Sequence, residues 1–539
     1  MRTNRFAAIA AVVSIAVVSA CSDSDDDGAG PASSGAVPAP SEVTGAPTTP
    51  DSLGSPSNDT APPPSATGDG PTPPPGPPRV TLASVAAGVS LVEAGDDASL
   101  AIEASRALFE SSHAVVVTAA APAELSGDAI ATAEALGVPL LLVDPRYAAA
   151  VGEEIDRLGA QSVVTFGDVP AELADELPSD AVVVDAQDVP EAARDVAPEG
   201  VPVLVPRGAP EVVAAAATAR AAGLVVVEVD GGDPRAAAES RDTLRLLAPA
   251  GVVALGTAGT FSDHDVLQGL VDTAVAGHEL PGGGQVLFPG RRLVALYGHP
   301  GDSNLGVLGE QGVPAAIDRA RLVAAPYDDG REPAIPTFEL ITTVASSEAG
   351  SDGDYSLESS LDHIRPWVEA AGPAGIYVVL ELQPGYTDFL TQAKRYEEFL
   401  ALPHVGLGLD PEWRLAPGER HMRDIGQVSA YEVNLVSEWL ADLTRRYALP
   451  QKLLLLQQFR LDMFTERSDV VIRPEIAVVV QMDGFGPQNV KLETWGAVTR
   501  GGPEGMRFGW KQFYDEDPVV RSAADTIALQ PSPVFISHQ

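Results

Sequence analysis

The chain of 539 residues has one cysteine, Cys21, and few basic residues. A single cysteine excludes an intramolecular disulfide, so an exported body would have to be stable without one. Lysines and arginines number 34 against 75 acids, which gives a formal net charge of −41. This charge is repelled by nucleic acid and by anionic surfaces, so we expect no nucleic-acid partner. No GxSxG sequence marks a serine nucleophile, and no standard zinc-ligand spacing occurs.

The first eighty residues carry a targeting pattern followed by a tether. Arg2 and Arg5 precede the apolar run FAAIAAVVSIAVV (6–18), which is short for a membrane span. The run closes with Val18-Ser19-Ala20-Cys21, which resembles a bacterial lipobox, so the chain resembles an actinobacterial-type lipoprotein. That resemblance implies a signal peptide over 1–20 and a diacylglycerol on Cys21 at the extracytoplasmic face of the cell membrane. Residues 21–80 are rich in Pro, Ser and Thr and predict a disordered tether.

Residues 81–285 alternate short Val/Leu-rich segments with Ala-rich segments and contain an internal repeat. HAVVVTAAAP (113–122) is echoed by VPVLVPRGAP (201–210), and RLGAQSVVTFG (157–167) by LLAPAGVVALG (246–256). ATAEALG (131–137) is echoed by ATARAAG (217–223) in the same order. The pattern predicts duplicated α/β modules with parallel strands. The segments VVVTAAAPAELSGDAIA, LGVPLLLVDPR and LGAQSVVTFGD also resemble the cell-wall-binding repeat type 2 family, which implies anchoring to wall polymer.

In residues 286–539, eight apolar segments of strand length have helical segments between most of them, which predicts a (β/α)₈-like barrel. The whole chain is therefore assigned to the α/β class. Helices are expected over 358–371, 387–401, 429–447 and 517–528, the third beginning with a capping box of Ser429 and Glu432. The predicted strands are 292–299, 338–346, 375–383, 405–410, 452–459, 476–483, 506–513 and 533–539.

The most informative stretch is VGLGLDPEW (405–413), a predicted strand that ends in Asp410 and Glu412. If strand geometry persists to its end, residues two apart project to the same side. Paired carboxyl groups at the carboxyl end of a barrel strand are what glycoside hydrolysis requires. The other strand ends are also polar and predict a cleft that contacts carbohydrate, with no cofactor. The predicted contact residues are His299, Asp302, Glu381, Gln383, Tyr386, Trp413, Gln458, Trp510, Lys511 and Tyr514.

This layout resembles the muramidase-type glycoside hydrolases of family 25, in which an Asp-x-Glu motif ends the fourth strand and another acid ends the sixth. The resemblance implies that Asp410, Glu412 and Asp483 are catalytic, with Glu412 as the general acid. Asp302 or His299 stands where the family has a first-strand acid. Cell-wall polysaccharide or peptidoglycan is the implied partner, besides the membrane.

Two other readings stay open. In one, His299, Asp410, Glu412 and Asp483 ligate a divalent ion in a metal-assisted hydrolase. In the other, the barrel binds glycan without catalysis, as an envelope scaffold.

Overall fold

The computed structural model describes residues 78–120, 125–196 and 199–539. These residues belong to one compact unit, Pro77–Gln539. Cys21, the predicted signal peptide and nearly all of the predicted tether lie outside the described residues. Among the described residues, none of the helices combines the length and apolarity needed to cross a membrane.

The amino-terminal part contains two four-stranded parallel sheets in which the first three strands follow the same order. In the first sheet the order is Leu140–Val143, Ala114–Ala119, Ser162–Phe166, Val182–Val183. In the second it is Val225–Val229, Pro202–Pro206, Gly251–Thr257, Gly88–Ala94. The second and third strands of each sheet overlap the echoed segments 113–122/201–210 and 157–167/246–256, which agrees with an internal duplication. The fourth strand of the second sheet comes from earlier in the chain, ahead of both copies.

Alanine-rich helices cover these sheets because small side chains allow close packing on buried strands. A third sheet joins Phe109–Ser112, Arg79–Leu82 and Ala193–Arg194. The helices of this part are Asp97–Leu108, Gly127–Leu136, Ala148–Leu158, Glu172–Glu176, Val213–Ala221, Ala238–Leu247 and His264–Ala276.

The carboxyl-terminal part is a closed barrel of eight parallel strands, as predicted. The first and last strands pair with each other, which closes the ring. We label the barrel strands β1 (Arg292–Gly298), β2 (Ala334–Ala345), β3 (Tyr377–Leu382), β4 (Val405–Leu409), β5 (Lys452–Gln458), β6 (Ile476–Met482), β7 (Arg507–Gln512) and β8 (Phe535–His538). A short strand, Ser356–Glu358, pairs antiparallel with β2.

The helices around the barrel agree only in part with the prediction. They are Val313–Ala324, Leu361–Ala374, Phe389–Arg395, Glu397–Leu400, Ala430–Arg446, Gln488–Val498 and Ala523–Ile527. The first and the sixth were not predicted, and the last is much shorter than the predicted 517–528. Residues 459–475, between β5 and β6, contain two 3₁₀ turns and a two-residue strand instead of a helix. The Ser429 side chain caps its helix as expected, but Glu432 binds Phe389 N and Arg414 rather than completing the capping box.

The interior of the barrel is apolar toward the amino ends of the strands. Leu293, Tyr377, Leu453 and Phe535 are fully or almost fully buried there, with Leu287 from the preceding segment in the same cluster. Side chains alternate across a strand, so interior positions recur every second residue. They are the odd-numbered residues of seven strands and the even-numbered residues of β4.

The two parts of the compact unit are in direct contact. Helix His264–Ala276 packs against helix Ala430–Arg446, and Gly269 lies against the side chain of Arg445. The fully buried Arg235 pairs with Asp233 at 2.8 Å and donates a hydrogen bond of 2.7 Å to the carbonyl of Pro474.

Candidate active site

Asp410 and Glu412 leave the end of β4 in a turn, not in a continuing strand. The strand ends at Leu409, and residues Pro411–Trp413 form a 3₁₀ turn that Asp410 caps by accepting a hydrogen bond of 3.2 Å from Glu412 N. The expectation that strand geometry persists as far as Glu412 is therefore wrong. Proline favours the first position of a helical turn, and Pro411 occupies that position here. The two carboxyl groups nevertheless interact, since the charge of Glu412 contributes to the raised pKa of Asp410.

Two further carboxyl groups lie inside the barrel on the neighbouring strands. Glu339 of β2 and Glu381 of β3 are both fully buried. Tyr297 donates a hydrogen bond of 2.9 Å to Glu381, and Gln457 donates to both glutamates. Ser537 of β8 also donates to Glu339. Burial raises the pKa of Glu339 to about 8, although Lys511 acts against the shift.

Lys511 of β7 is the one cation that lies among these groups within the described part of the chain. Its ammonium is 3.0 Å from Asp483 and 3.6 Å from the centroid of the Tyr297 ring. It also donates a hydrogen bond of 3.4 Å to Gln457. Burial alone would lower the pKa of Lys511, but the carboxyl groups of Asp483 and Glu339 raise it above its usual value. The lysine therefore stays charged.

We call Glu339, Glu381, Asp410, Glu412, Asp483 and Lys511 the carboxyl-end cluster. Burial raises the pKa of Glu412 to about 7, and the charge of Asp483 adds to the shift. Burial, then the charge of Glu381, raises the pKa of Asp410 well above its usual range. The pKa of Asp483 is raised by burial while the ammonium of Lys511 opposes the shift. Every acid of the cluster therefore has a raised pKa, with burial as the first cause.

The structure brings together the three predicted catalytic acids and three predicted contact residues. Glu381, Gln383 and Lys511 lie in or beside the carboxyl-end cluster, and Gln383 donates a hydrogen bond of 3.0 Å to Glu381. The side-chain oxygen of Gln383 accepts from Ala345 N, which fixes the amide in this orientation.

Two predicted contact residues face away from the barrel interior, which corrects their assignment. Trp510 is fully buried against Trp495 of the surrounding helix layer, with ring centroids 5.7 Å apart. Gln458 donates 2.9 Å to the carbonyl of Arg460 and accepts from Arg467. Both have even numbers on strands whose odd-numbered residues point inward, so neither can contact a ligand in the barrel.

The remaining predicted contact residues lie in the loops after the strands. His299 stacks on His363 with a centroid distance of 5.3 Å, and Asp302 accepts hydrogen bonds from Asn304 within its own loop. Both residues lie in the loop after β1, so neither supplies the acid expected on the first strand. The last interior side chain of β1 is that of Tyr297. The three rim aromatics contact neighbouring loop or strand-end groups: Tyr386 with Tyr355 and the Glu419 carbonyl, Trp413 with His421, and Tyr514 with His538.

His299, Asp410, Glu412 and Asp483, the residues predicted to ligate a divalent ion, do not form a metal-ligand cluster in the described part of the chain. Among the described residues, three or more His, Cys, Asp or Glu side chains bring their ligand atoms within 4.8 Å of one another only in the segment after β2. These residues are Asp352, Asp354 and Glu358. His299 of the predicted set instead contacts Ser359 at 3.1 Å.

Sequence reasoning missed Glu339, Gln457, Gln481 and Tyr297. Strand alternation would have identified Gln481, which lies two residues before Asp483 at the end of β6. Glu339 is also an isolated acid within an apolar strand. Such an acid on a barrel strand is a signal of an ionisable interior.

No family model and no curated protein matches this sequence. Solved structures with some likeness include the HpcH/HpaI aldolase from Desulfitobacterium hafniense DCB-2, at 11% identity and a TM-score of 0.23. That match covers 46% of this chain and 86% of the aldolase chain. Another is Cwp6 from Clostridium difficile, at 13% identity and a TM-score of 0.13, covering 84% of this chain and 45% of Cwp6. At these scores neither likeness bears on the chemistry of the site. What defines the protein is a (β/α)₈-like barrel with an ionisable interior at the carboxyl ends of its strands.

Proposed function

We propose that the carboxyl-end cluster is the active site of a glycoside hydrolase. The observation that carries the proposal is Glu412, a partly buried carboxyl group whose pKa is raised to about 7 beside a second acid, Asp483. A general acid must hold its proton near the working pH, and Glu412 meets that requirement. It would protonate the leaving glycosidic oxygen.

We assign Asp483 as the partner of Glu412 because the ammonium of Lys511, at 3.0 Å, opposes the rise that burial causes in the pKa of Asp483. An ionised carboxylate can face the developing oxocarbenium ion or attack it. After burial and the charge of Asp483, the charge of Glu381 also raises the pKa of Glu412, while Lys511 opposes the shift. The rim aromatics Trp413 and Tyr386 would border a bound sugar chain.

The proposal places this barrel in a lipid-anchored protein of the cell envelope that acts on wall polysaccharide or peptidoglycan. Lipidation of Cys21 would hold the body at the membrane, and the duplicated modules would contact wall polymer. Replacement of Cys21 by serine is expected to release the protein from the membrane fraction, as followed by fractionation. An unchanged distribution would contradict the anchor without touching the hydrolase proposal.

The catalytic proposal is tested by incubating the protein with purified peptidoglycan, arabinogalactan and α-glucans and measuring new reducing ends. Glu412→Gln is expected to lower the rate about 10²–10⁴-fold, as loss of a general acid does. Glu516→Gln is the matched control, because Glu516 is exposed after β7 and lies outside the cluster. Equal activity of Glu412→Gln and the wild type would overturn the proposal. Binding of a glycan with no cleavage by the wild type would favour the scaffold function instead.

A further inference from the structure

The carboxyl-end cluster contains far more acid than base. Five carboxyl groups surround one ammonium, and among them only Asp483 lies within ion-pair distance of Lys511. A second buried lysine, Lys491, is already paired with Asp517 and donates to the carbonyl of Lys511. Tyr297, whose ring lies under the Lys511 ammonium, donates its hydroxyl hydrogen to Glu381. The cluster therefore has more carboxyl groups than ammonium groups to pair with them.

The surroundings of Lys511 demonstrate how this site accommodates a primary amine. The ammonium contacts a carboxylate at 3.0 Å, an amide oxygen at 3.4 Å and an aromatic face at 3.6 Å. Carboxylates, amide oxygens and aromatic faces are the groups that stabilise a partly desolvated ammonium ion. The other four carboxyl groups form no ion pair with Lys511. A second cation placed among them would favour their ionised forms.

A separate observation also indicates a polar ligand. Gln481 of β6 is fully buried and occupies an interior position beside Gln457, with which it is paired in register. Neither its amide nitrogen nor its amide oxygen has a hydrogen-bond partner among the described residues. Buried amides are normally satisfied, so a donor and an acceptor remain available at the cluster.

Access to the cluster is through its most exposed members. Glu412 is partly buried, and the side chain of Asp483 is 9% exposed, whereas Glu339 and Glu381 are fully buried. A group that enters from the carboxyl ends of the strands would meet Glu412 and Asp483 first. An ammonium carried on a sugar ring can reach these acids while the glycosidic oxygen stays beside Glu412.

We propose that the site takes an amine-bearing glycan, a hexosamine polymer whose amino groups are not acetylated. The inference rests on the proposed hydrolase and names its substrate class. Acetylation removes the charge and adds bulk, so the acetylated form of the same polymer would lose the attraction of the cluster. Anionic wall polymers would be repelled by the same carboxyl groups.

The test compares a glucosamine trisaccharide with its fully N-acetylated form, using the full chain. Calorimetric binding is expected to be at least about tenfold tighter for the amine form, and any cleavage faster, as gain of a charge-assisted hydrogen bond implies. Equal or tighter binding of the acetylated form, or binding of neither form, would overturn the inference. Cleavage confined to the acetylated form would overturn it while supporting the hydrolase. Amine binding without cleavage would support the inference and count against the hydrolase.

Because the chain is strongly acidic, general attraction of a cation must be separated from binding in the cluster. The double substitution Glu381→Gln/Asp410→Asn removes two interior carboxyl groups and is expected to weaken amine binding at least about tenfold. Asp515→Asn/Glu516→Gln removes two exposed carboxyl groups after β7 and should change it less than about twofold. Equal losses in the two variants would overturn the inference. Gln481→Leu, which changes no charge, is a second variant and should also weaken binding, while unchanged affinity would contradict the role given to its amide.

Discussion

The two ends of the barrel interior are built from the same eight strands but have opposite character. Toward the amino ends of the strands lie Leu293, Tyr377, Leu453 and Phe535 in one apolar cluster. Toward the carboxyl ends lies the carboxyl-end cluster, with raised pKa values on its acids. Apolar burial at one end stabilises the fold, whereas buried charge at the other end costs stability and serves chemistry. On a given strand, the apolar interior positions and the ionisable interior positions are only a few residues apart.

Removal of the ammonium should produce the largest loss of stability. Lys511→Met keeps the length of the side chain but leaves buried carboxyl groups uncompensated, so the free energy of unfolding at pH 8 should fall by about 3–5 kcal/mol. The loss should shrink toward pH 5, because the carboxyl groups then become neutral. Denaturant titrations at both pH values measure it, with the exposed Lys394→Met as control. An equal loss at both pH values would contradict the electrostatic account.

A cavity at the apolar end should destabilise the barrel without changing its pH dependence. Leu453→Ala removes a fully buried side chain and should lower the free energy of unfolding by about 2–5 kcal/mol at pH 5 and pH 8 alike. Leu461→Ala, at a side chain that is 57% exposed, should change it by less than about 0.5 kcal/mol. If the cost of Leu453→Ala varied with pH as that of Lys511→Met does, the two ends would not be independent.

Neutralising one buried acid should have the smallest effect, and a stabilising one. Since the pKa of Glu339 is raised from 4.5 to about 8, its proton contributes stability below pH 4.5 that is lost as the pH rises through about 8. Glu339→Gln removes this dependence and should be more stable than the wild type at pH 8, by on the order of 1–3 kcal/mol. Glu348→Gln, an exposed acid after β2, is the control. A destabilised Glu339→Gln at pH 8 would count against a raised pKa.

The strands of the barrel were predictable because each is a short apolar run between polar segments. Burial on both faces makes such runs continuous, and all eight appear where the sequence places them. Helices were harder to predict. Residues 313–324 and 488–498 form helices with weak patterns. Residues 517–522 lack helix, and the buried Asp517 pairs with Lys491 and accepts a hydrogen bond from Phe513 N.

Acids that follow a strand were identified from the sequence, as were Glu381 and Lys511 near the ends of β3 and β7, whereas Glu339, midway along β2, was not. Asp410, Glu412 and Asp483 stood out in the sequence, whereas Glu339 and Gln457 did not. The assignments of Trp510 and Gln458 failed because residue type was read without strand parity. Their side chains contact Trp495 and Arg467 outside the barrel interior.

We expect a carboxyl group at the mouth of the barrel, that of Glu412, to keep its proton near neutral pH. Titration of the Glu412 side-chain carboxyl carbon by ¹³C NMR tests it without a substrate, and Glu412→Gln identifies the resonance. We expect a midpoint near pH 7, since burial and Asp483 raise the pKa of Glu412 to about 7. A midpoint near the usual 4.5 would show that Glu412 is ionised at neutral pH and cannot serve as the general acid there.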